Sequence, residues 1–540
     1  MAKERLYLFD TTMRDGAQTL GVDFNVEDKR RIAIALDELG VDYVEAGWPG
    51  ANPTDSKFFE EPPVLKNALL TAFGMTRRPG RSASNDPGLQ AVLQSKARVA
   101  CIVGKAWNYQ VETALGIEAS ENIDLIADTI QEAKQKKEQV IYDAEHFFDG
   151  YKANPQYALD CVKAAYEAGA RWVVLCDTNG GSMPDEVERI TAAVAQIIPH
   201  DHVGIHTHND TEQAVANSLA AVRGGARHIQ GTINGLGERC GNANMISLVP
   251  SLALKPWYSD RFEIGVTAEG LTHLVSVSRL LNEILNQASH RHQAYVGEAA
   301  FAHKGGLHVS AVLKDPSTYE HVSPESVGNQ RHILVSSQSG RSNILARLKE
   351  VNIELDPNDQ RIDSLLVMVK QRADLGWTYD GAEASFEILA RRALKQVPDY
   401  FHVDSFKVEV ETRHNAKSEL ISVSQAVVKV NVDGERLMSV AEGSGPVHAL
   451  DQALRKDLGK YQSYLSDLRL ADFKVRILDS GTEAITRVMI ESIDGVGARW
   501  FTVGVSANIV EASFMALHDS IIYKLFKAGA PTRGIAKIRD

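Results

Sequence analysis

Val203-Gly-Ile-His-Thr-His-Asn-Asp210 is the stretch on which the fold turns. Val203 to Ile205 reads as a buried strand, and strand side chains alternate between faces with a period of two. His206 and His208 therefore share one face, and Thr207 takes the other. Two imidazoles on one face at the carboxyl end of a strand can chelate a divalent metal once a carboxylate joins them. Asp15 stands at the matching end of the first expected strand, Leu6–Phe9, and is the candidate third ligand. The plainer alternative is a pair of hydrogen-bonded histidines beside a loop.

Seven further apolar runs resemble the one before His206. In order, the eight are Leu6–Phe9, Tyr43–Ala46, Leu69–Phe73, Val99–Val103, Val140–Asp143, Trp172–Cys176, Val203–His206 and His228–Thr232. Amphipathic helical patterns such as Val26–Leu39 and Pro184–Ile198 separate them. Eight β/α units in about 250 residues is the arithmetic of a (β/α)8 TIM barrel. A doubly wound open sheet is the runner-up, but it would carry a glycine-rich phosphate loop after its first strand. That position holds Asp10-Thr-Thr-Met-Arg-Asp-Gly16 instead. Polar groups gather at the carboxyl ends of the runs: Asp10, Arg14 and Asp15, Glu45, Asp143 and Glu145, Asp177 and Thr178, His206 and His208, then Asn234 to Asn242. In a barrel these ends converge on one mouth, where active sites sit. Any one of them could be a mere helix N-cap; all of them together point to a site.

At 540 residues the chain is long enough for two or three domains. It is 44% hydrophobic and 24% charged, ordinary for a globular protein. A net charge of −12 argues against a general nucleic-acid binder. No apolar leader follows the start, and no apolar run approaches the roughly 20 residues that span a bilayer. Cys101, Cys161, Cys176 and Cys240 are scattered without a CxxC pair, so a reduced, cytoplasmic protein is the expectation.

The texture changes beyond the barrel. Residues 256–395 read as helical and polar around a loop-rich centre, Ala300–Gly340, which holds His303-Lys-Gly-Gly-Leu-His308. From about 400 strands alternate, as in Phe406–Glu411 and Ala426–Val432. Here the chain repeats itself: Val440-Ala-Glu-Gly-Ser-Gly-Pro-Val447 with helix Ala449–Leu458 matches Val503-Gly-Val-Ser-Ala-Asn-Ile-Val510 with helix Ala512–Phe526. Each half reads as a β-hairpin leading into a helix, giving a small α+β module. The helix starts at Gly443–Pro446 and Ser506–Asn508 can hold an anion such as a carboxylate, or serve only as caps. The expected organisation is a barrel over 1–270, helical linker subdomains over 271–395, and an α+β regulatory domain over 396–540.

Five motifs now carry a resemblance. Asp10-Thr-Thr-Met-Arg-Asp-Gly-Ala-Gln18, Glu45-Ala-Gly-Trp-Pro49, Asp143-Ala-Glu-His-Phe147, His206-Thr-His-Asn-Asp210 and Asn234-Gly-Leu-Gly-Glu-Arg-Cys-Gly-Asn242 stand in barrel order. Together they resemble the 2-isopropylmalate, homocitrate and citramalate synthase family, the DRE-TIM metallolyases. The C-terminal repeat resembles that family's regulatory domain. One departure is Ala17, where the family signature RDGEQ has glutamate. Asp143–Tyr151, Leu175–Gly181 and Glu238–Asn244 look most like the citramalate synthase branch, which condenses acetyl-CoA with pyruvate.

The resemblance implies an acyltransferase that performs a Claisen condensation of acetyl-CoA with a 2-oxo acid. It implies metal ligation by Asp15, His206, His208 and Asn242; that mixed N/O set suits Mn2+, Zn2+, Co2+ or Mg2+ alike. Arg14 would stabilise developing negative charge and bind substrate. Glu145 would be the general base, and His308, brought by a partner subunit, an acid or base. Thr178, Asp143 and Tyr142 would shape the pocket for pyruvate. The repeat, at Gly443, Gly445, Ser506 and Asn508, would bind an amino-acid effector, isoleucine, in a homodimer. The readings set against this one are a 2-isopropylmalate synthase acting on 2-oxoisovalerate, a lyase or aldolase with the same metal site, and a sensor that kept the barrel as scaffold.

Overall fold

The computed structural model describes residues 3–414, 416–479 and 484–531. These fall into two compact units, one formed by Met1–Phe301 with His321–Arg331, the other by Ala302–Glu320 with His332–Asp540. Among the described residues no helix is long and apolar enough to cross a membrane.

The first unit is a closed parallel barrel of eight strands, which rules out the doubly wound sheet. They are β1 (Tyr7–Asp10), β2 (Tyr43–Glu45), β3 (Leu69–Met75), β4 (Val99–Lys105), β5 (Gln139–Glu145), β6 (Trp172–Asp177), β7 (Val203–Thr207) and β8 (His228–Gly231). Each lies within a residue or two of an expected run. Period-two alternation splits their side chains cleanly. Val44, Leu70, Ile102, Tyr142, Leu175 and Ile205 face out and pack against the helices in one large core. Phe9, Tyr43, Phe73, Ile141, Trp172 and Val174 face in and fill the barrel. His228 joins them with its ring centroid 5.1–5.4 Å from those of Phe9, Tyr43 and Trp172, so burial holds its imidazole well below the usual range.

The helices begin where the sequence supplies acceptors. Asn25 accepts from the Glu27 and Asp28 amides and Asp28 answers in a capping box, opening Val26–Leu39. Pro87, Pro155 and Pro184 each start a helix at a position where the missing N–H costs nothing. Gly47, just after β2, has φ 139°, and a Cβ there would collide with the Asp55 carboxylate. That carboxylate pairs with buried Lys29 and accepts from the Trp48 amide at 2.8 Å and from Asn52 Nδ2 at 3.0 Å. The brace fixes the Gly47–Asn52 loop at the carboxyl end of the barrel.

The second unit opens with short helices, among them Gly306–Lys314, Arg341–Glu350, Gln360–Asp374 and Glu383–Ala393. Two copies of one module follow. In the first, β9 (His402–His414), β10 (Leu420–Val432) and β11 (Glu435–Gly443) form an antiparallel sheet before helix Pro446–Lys456. In the second, β12 (Arg469–Ile477), β13 (Thr486–Ile493) and β14 (Arg499–Ser506) precede helix Ile509–Lys527. Each repeat is thus three strands and a helix, not the hairpin and helix read from sequence. Both share one core, with Val428, Val430, Leu450 and Leu454 from the first copy and Val488, Ile490, Ala516 and Ile521 from the second.

Gly47→Ala is expected to lower the thermal unfolding midpoint by an amount equivalent to about 1–3 kcal/mol, the cost of a side chain forced to positive φ. Near-UV circular dichroism of the two proteins measures it.

Candidate active site and metal centre

The inward residues at the carboxyl ends of the strands enclose a mouth cavity of about 660 Å³. Asp15, His206 and His208 meet there, all buried, with one ligand atom from each lying within 4.8 Å of the others. His206 Nε2 stands 3.4 Å from Asp15 Oδ2 and 3.2 Å from His208 Nε2; His208 Nε2 stands 4.0 Å from that same oxygen. Thr207 faces away, its hydroxyl donating to the Ala214 carbonyl at 2.9 Å. The backbone of Asn242 bridges to His208, and its Nδ2 donates to the Leu236 carbonyl at 3.0 Å. Asn242 Oδ1 is left buried without a partner, as are Asp15 Oδ1 and His208 Nδ1. Buried polar atoms without partners are rare, and here they belong to Asp15, to His208 and to Asn242, whose backbone bridges to His208 beside the two facing imidazole nitrogens. This donor set fits a divalent cation.

The electrostatics agree. Burial alone would raise the Asp15 carboxyl, but the Arg14 charge and the His206 hydrogen bond hold it well below the usual carboxylate range. Burial also favours a neutral His206, yet Asp15 outweighs it and raises that imidazole. Burial, together with the His206 charge, pushes His208 down to about 3, so His208 is neutral and free to ligate.

Arg14 donates through Nε to Glu45 Oε2 at 2.7 Å, with Nη1 3.3 Å from Asp15 Oδ2. Its guanidinium lies 4.1 Å from the Phe73 ring centre. Burial opposes the charge, but Glu45 and Asp15 outweigh it and hold the guanidinium more firmly protonated than usual. The cation is held on two sides, largely covered, and lines the mouth.

The other expected residues divide. Asp143 and Glu145 line the cavity with Thr178. Burial and the Glu45 charge push the Asp143 carboxyl up to about 6. Glu145 pairs with Lys105 Nζ at 2.6 Å. Thr178 does not cap the following helix, whose N-cap is Met183; its Oγ1 accepts from the His146 amide at 2.8 Å, leaving the hydroxyl hydrogen free. Tyr142 does not line the cavity. It is one step out of phase with Asp143, and its fully buried ring packs in the outer core. Its expected place in the pocket does not fit this placement. His308 lies on the exposed first turn of Gly306–Lys314 in the second unit, stacked on Tyr319 with ring centres 4.2 Å apart.

The proposed effector turns differ from one another. Asn508 already caps its helix, accepting from the Val510 and Glu511 amides, and Ser506 bonds Glu511 and the Asn508 amide. Gly445 offers no side-chain cap, Pro446 follows it, and Gly443 packs close against Ala449.

Lys105, Gln230 and Arg239 were given no role in the sequence reading, although Gln230 lies in the eighth run and Arg239 in the Asn234–Asn242 motif. Lys105 and Arg239 line the cavity, Arg239 holding Asp210 at 2.8 Å and the Thr178 carbonyl at 2.7 Å. Gln230 is fully buried against His206. The signal for Lys105 and Gln230 was available: both occupy inward positions near strand ends.

Fold and site together define a TIM-barrel enzyme with a mouth fitted for a divalent metal and a two-copy α+β domain behind it in the chain. Residues 5–280 match the HMGL-like family model, 295–376 the homocitrate synthase post-HMGL domain-like model, and 380–525 the LeuA allosteric (dimerisation) domain. The chain is 48% identical over 528 residues to an (R)-citramalate synthase of Aquifex aeolicus, covering 97% of this chain and 98% of that protein. It is 49% identical over 525 residues to an (R)-citramalate synthase of Geobacter sulfurreducens, covering 96% and 98%. To a 2-isopropylmalate synthase of Pectobacterium atrosepticum it is 30% identical over 524 residues, covering 95% and 92%. The chain belongs to the 2-isopropylmalate, homocitrate and citramalate synthase family, and within it stands with the citramalate synthases.

Replacing His208 with Ala, or Asp15 with Asn, is expected to abolish retention of a divalent ion through gel filtration while leaving far-UV circular dichroism unchanged. Elemental analysis of the eluted protein reads it, and full metal occupancy in either variant contradicts the ligand set.

Proposed function

We propose that the chain joins acetyl-CoA to pyruvate, giving (R)-citramalate and free CoA, on the route to isoleucine. The observation that carries this reading is likeness to (R)-citramalate synthases at 41–49% identity over nearly the whole chain, against 28–32% for 2-isopropylmalate synthases.

The reaction poses two physical problems: a keto carbon must become electrophilic, and a thioester α-proton must be removed near neutral pH. Asp15, His206, His208 and Asn242 are proposed to hold a divalent cation, Mn2+, Zn2+, Co2+ or Mg2+. Bound there, it supplies Lewis acidity toward the keto and carboxylate oxygens of the 2-oxo acid. Arg14 offers its fixed charge to the oxygen on which negative charge develops; removing one such preorganised donor typically costs about 10²–10³ in rate. Thr178 turns its free hydroxyl hydrogen to the substrate carboxylate. Glu145 takes a proton from the acetyl methyl group, and the freed electron pair attacks the keto carbon of pyruvate. Water then cleaves the thioester and CoA leaves, with His308 as the proposed acid or base. Asp143 bounds the pocket for the small 2-oxo acid.

The LeuA-type domain supports a dimer that binds an amino-acid effector, for which isoleucine is the proposed ligand. Its turns at Gly443, Gly445, Ser506 and Asn508 are the proposed contacts.

Release of CoA from acetyl-CoA with Mn2+ tests the assignment. Pyruvate is expected to exceed 2-oxoisovalerate by about 10–200-fold in kcat/KM, the range that one branch in an apolar pocket supplies. The reverse preference would move the chain to the leucine branch with the same site chemistry. Truncation after residue 395 is expected to remove inhibition by isoleucine, with the oligomeric state followed alongside. Inhibition that survives the truncation places the effector outside the repeat.

A further inference from the structure

Gln230 is the inward residue near the end of β8, fully buried, and its two ends have different partners. Nε2 donates to Asp143 Oδ1 at 2.9 Å. An ionised carboxylate can only accept, so this contact decides which way the amide lies. Asp143 is itself steadied from β4, where Cys101 Sγ donates to Oδ2 at 3.3 Å. With Nε2 committed to Asp143, Gln230 Oε1 faces His206 Nδ1 at 2.8 Å. A carbonyl oxygen there requires a proton on Nδ1. In the neutral ring Nε2 then carries the lone pair, and Nε2 is the nitrogen that looks toward Asp15 and His208. The relay runs from β4 through β5 and β8 to β7, and each contact leaves the next group one way to point.

We propose that Gln230 is a positioning residue for the divalent cation. Asp143 fixes its amide, and the amide fixes the orientation and tautomer of His206, so that Nε2 is presented as the ligand. The inference rests on the metal reading of the site and deepens it. Partners in this position commonly alter metal affinity by about 10–100-fold.

The test uses the full chain, stripped with a chelator and titrated with Co2+, followed by visible absorption and calorimetry. Gln230→Met keeps the volume but removes both polar ends. Its Co2+ affinity is expected to fall about 10–100-fold, with far-UV circular dichroism of the metal-free protein unchanged. Gln230→Glu places two carboxyls at hydrogen-bond distance, so one proton stays shared between them. The residue still donates to Asp143 and keeps an oxygen for the Nδ1 proton, and its affinity is expected to stay near that of the wild type. Wild-type affinity in Gln230→Met overturns the proposal, as does equal weakening in both variants, which would make the side chain a spacer. Wild-type protein that takes up no Co2+ overturns the metal reading itself, and the role of Gln230 with it. A readout without variants is the wild-type crystal structure grown with Zn2+. Zinc on His206 Nε2, with Nδ1 bonded to Gln230 Oε1, is expected; zinc on Nδ1, or Gln230 turned away, overturns the proposal.

Discussion

Closure of eight parallel strands with a side-chain period of two is the constraint on which the rest of the structure depends. Closure gives every strand an inside, and the period sends every second residue there. Along β7 that makes Gly204 and His206 inward and Val203, Ile205 and Thr207 outward. Gly204 shows how tight the bargain is: a Cβ there would stand 2.9 Å from Val174 and 3.0 Å from the His228 ring. Aromatic rings fill the barrel around that level, and the charged groups of the site gather toward the carboxyl ends of the strands. Side chains from β7 and from the loops after β1 and β8 meet because the cylinder brings distant segments to one rim.

Burying charge at that rim has a cost that the rim itself must offset. Asp15, Glu45, Asp143 and His206 are buried and Arg14 is largely so, and an isolated charge there would be expelled or neutralised. Arg14 is offset twice, by Glu45 and by Asp15, and lies over Phe73. Glu45 in turn accepts from Thr11 Oγ1 at 2.6 Å. Asp143 lacks a cation of its own and is the carboxyl pushed upward. Polarity is graded across a few ångströms, with a firmly ionised Arg14–Asp15 pair beside a carboxyl that gives up its proton less readily. Such preorganised contrast in a low-dielectric pocket stabilises charge developing on a substrate.

The barrel was legible because its signal is redundant: eight runs, eight helical patterns and polar strand ends all repeat one message. His206 and His208 were legible because one strand and one register suffice to place them, and Asp15 because it follows the first strand at the same, carboxyl end. Tyr142 and Asp143 were read together, but only Asp143 lines the cavity. Adjacent strand residues face opposite ways, and a motif read as a block blurs that phase. Gln230, Lys105 and Cys101 escaped because their meaning is pairwise. Lys105 matters beside Glu145, its register partner on β5, and a single strand says nothing about its neighbour. In the second unit, Phe406–Glu411 and Ala426–Val432 marked β9 and β10, and the helix following each turn was visible, but β12 was not read. β12 is largely exposed, so the alternation that marks a half-covered strand is weak in it.

The two repeats show how far a sequence likeness can hide a chemical difference. Both turns lead from an edge strand into a helix whose first amides need acceptors. In the second, Asn508 supplies the acceptor from within the chain and Ser506 ties Glu511 to it. In the first, Gly445 has no side chain to offer; instead the Ser444 amide and hydroxyl lie 3.2 and 3.1 Å from His448 Nδ1, one turn into the helix. A capped helix start has spent its donors locally, whereas a glycine start keeps them for solvent or another group. The two modules keep one backbone path, because strand, turn and helix of each must close over one shared core. The cap is free to differ, since that residue faces out of the core, and the two halves of a symmetric-looking domain differ at the position where their chemistry is exposed.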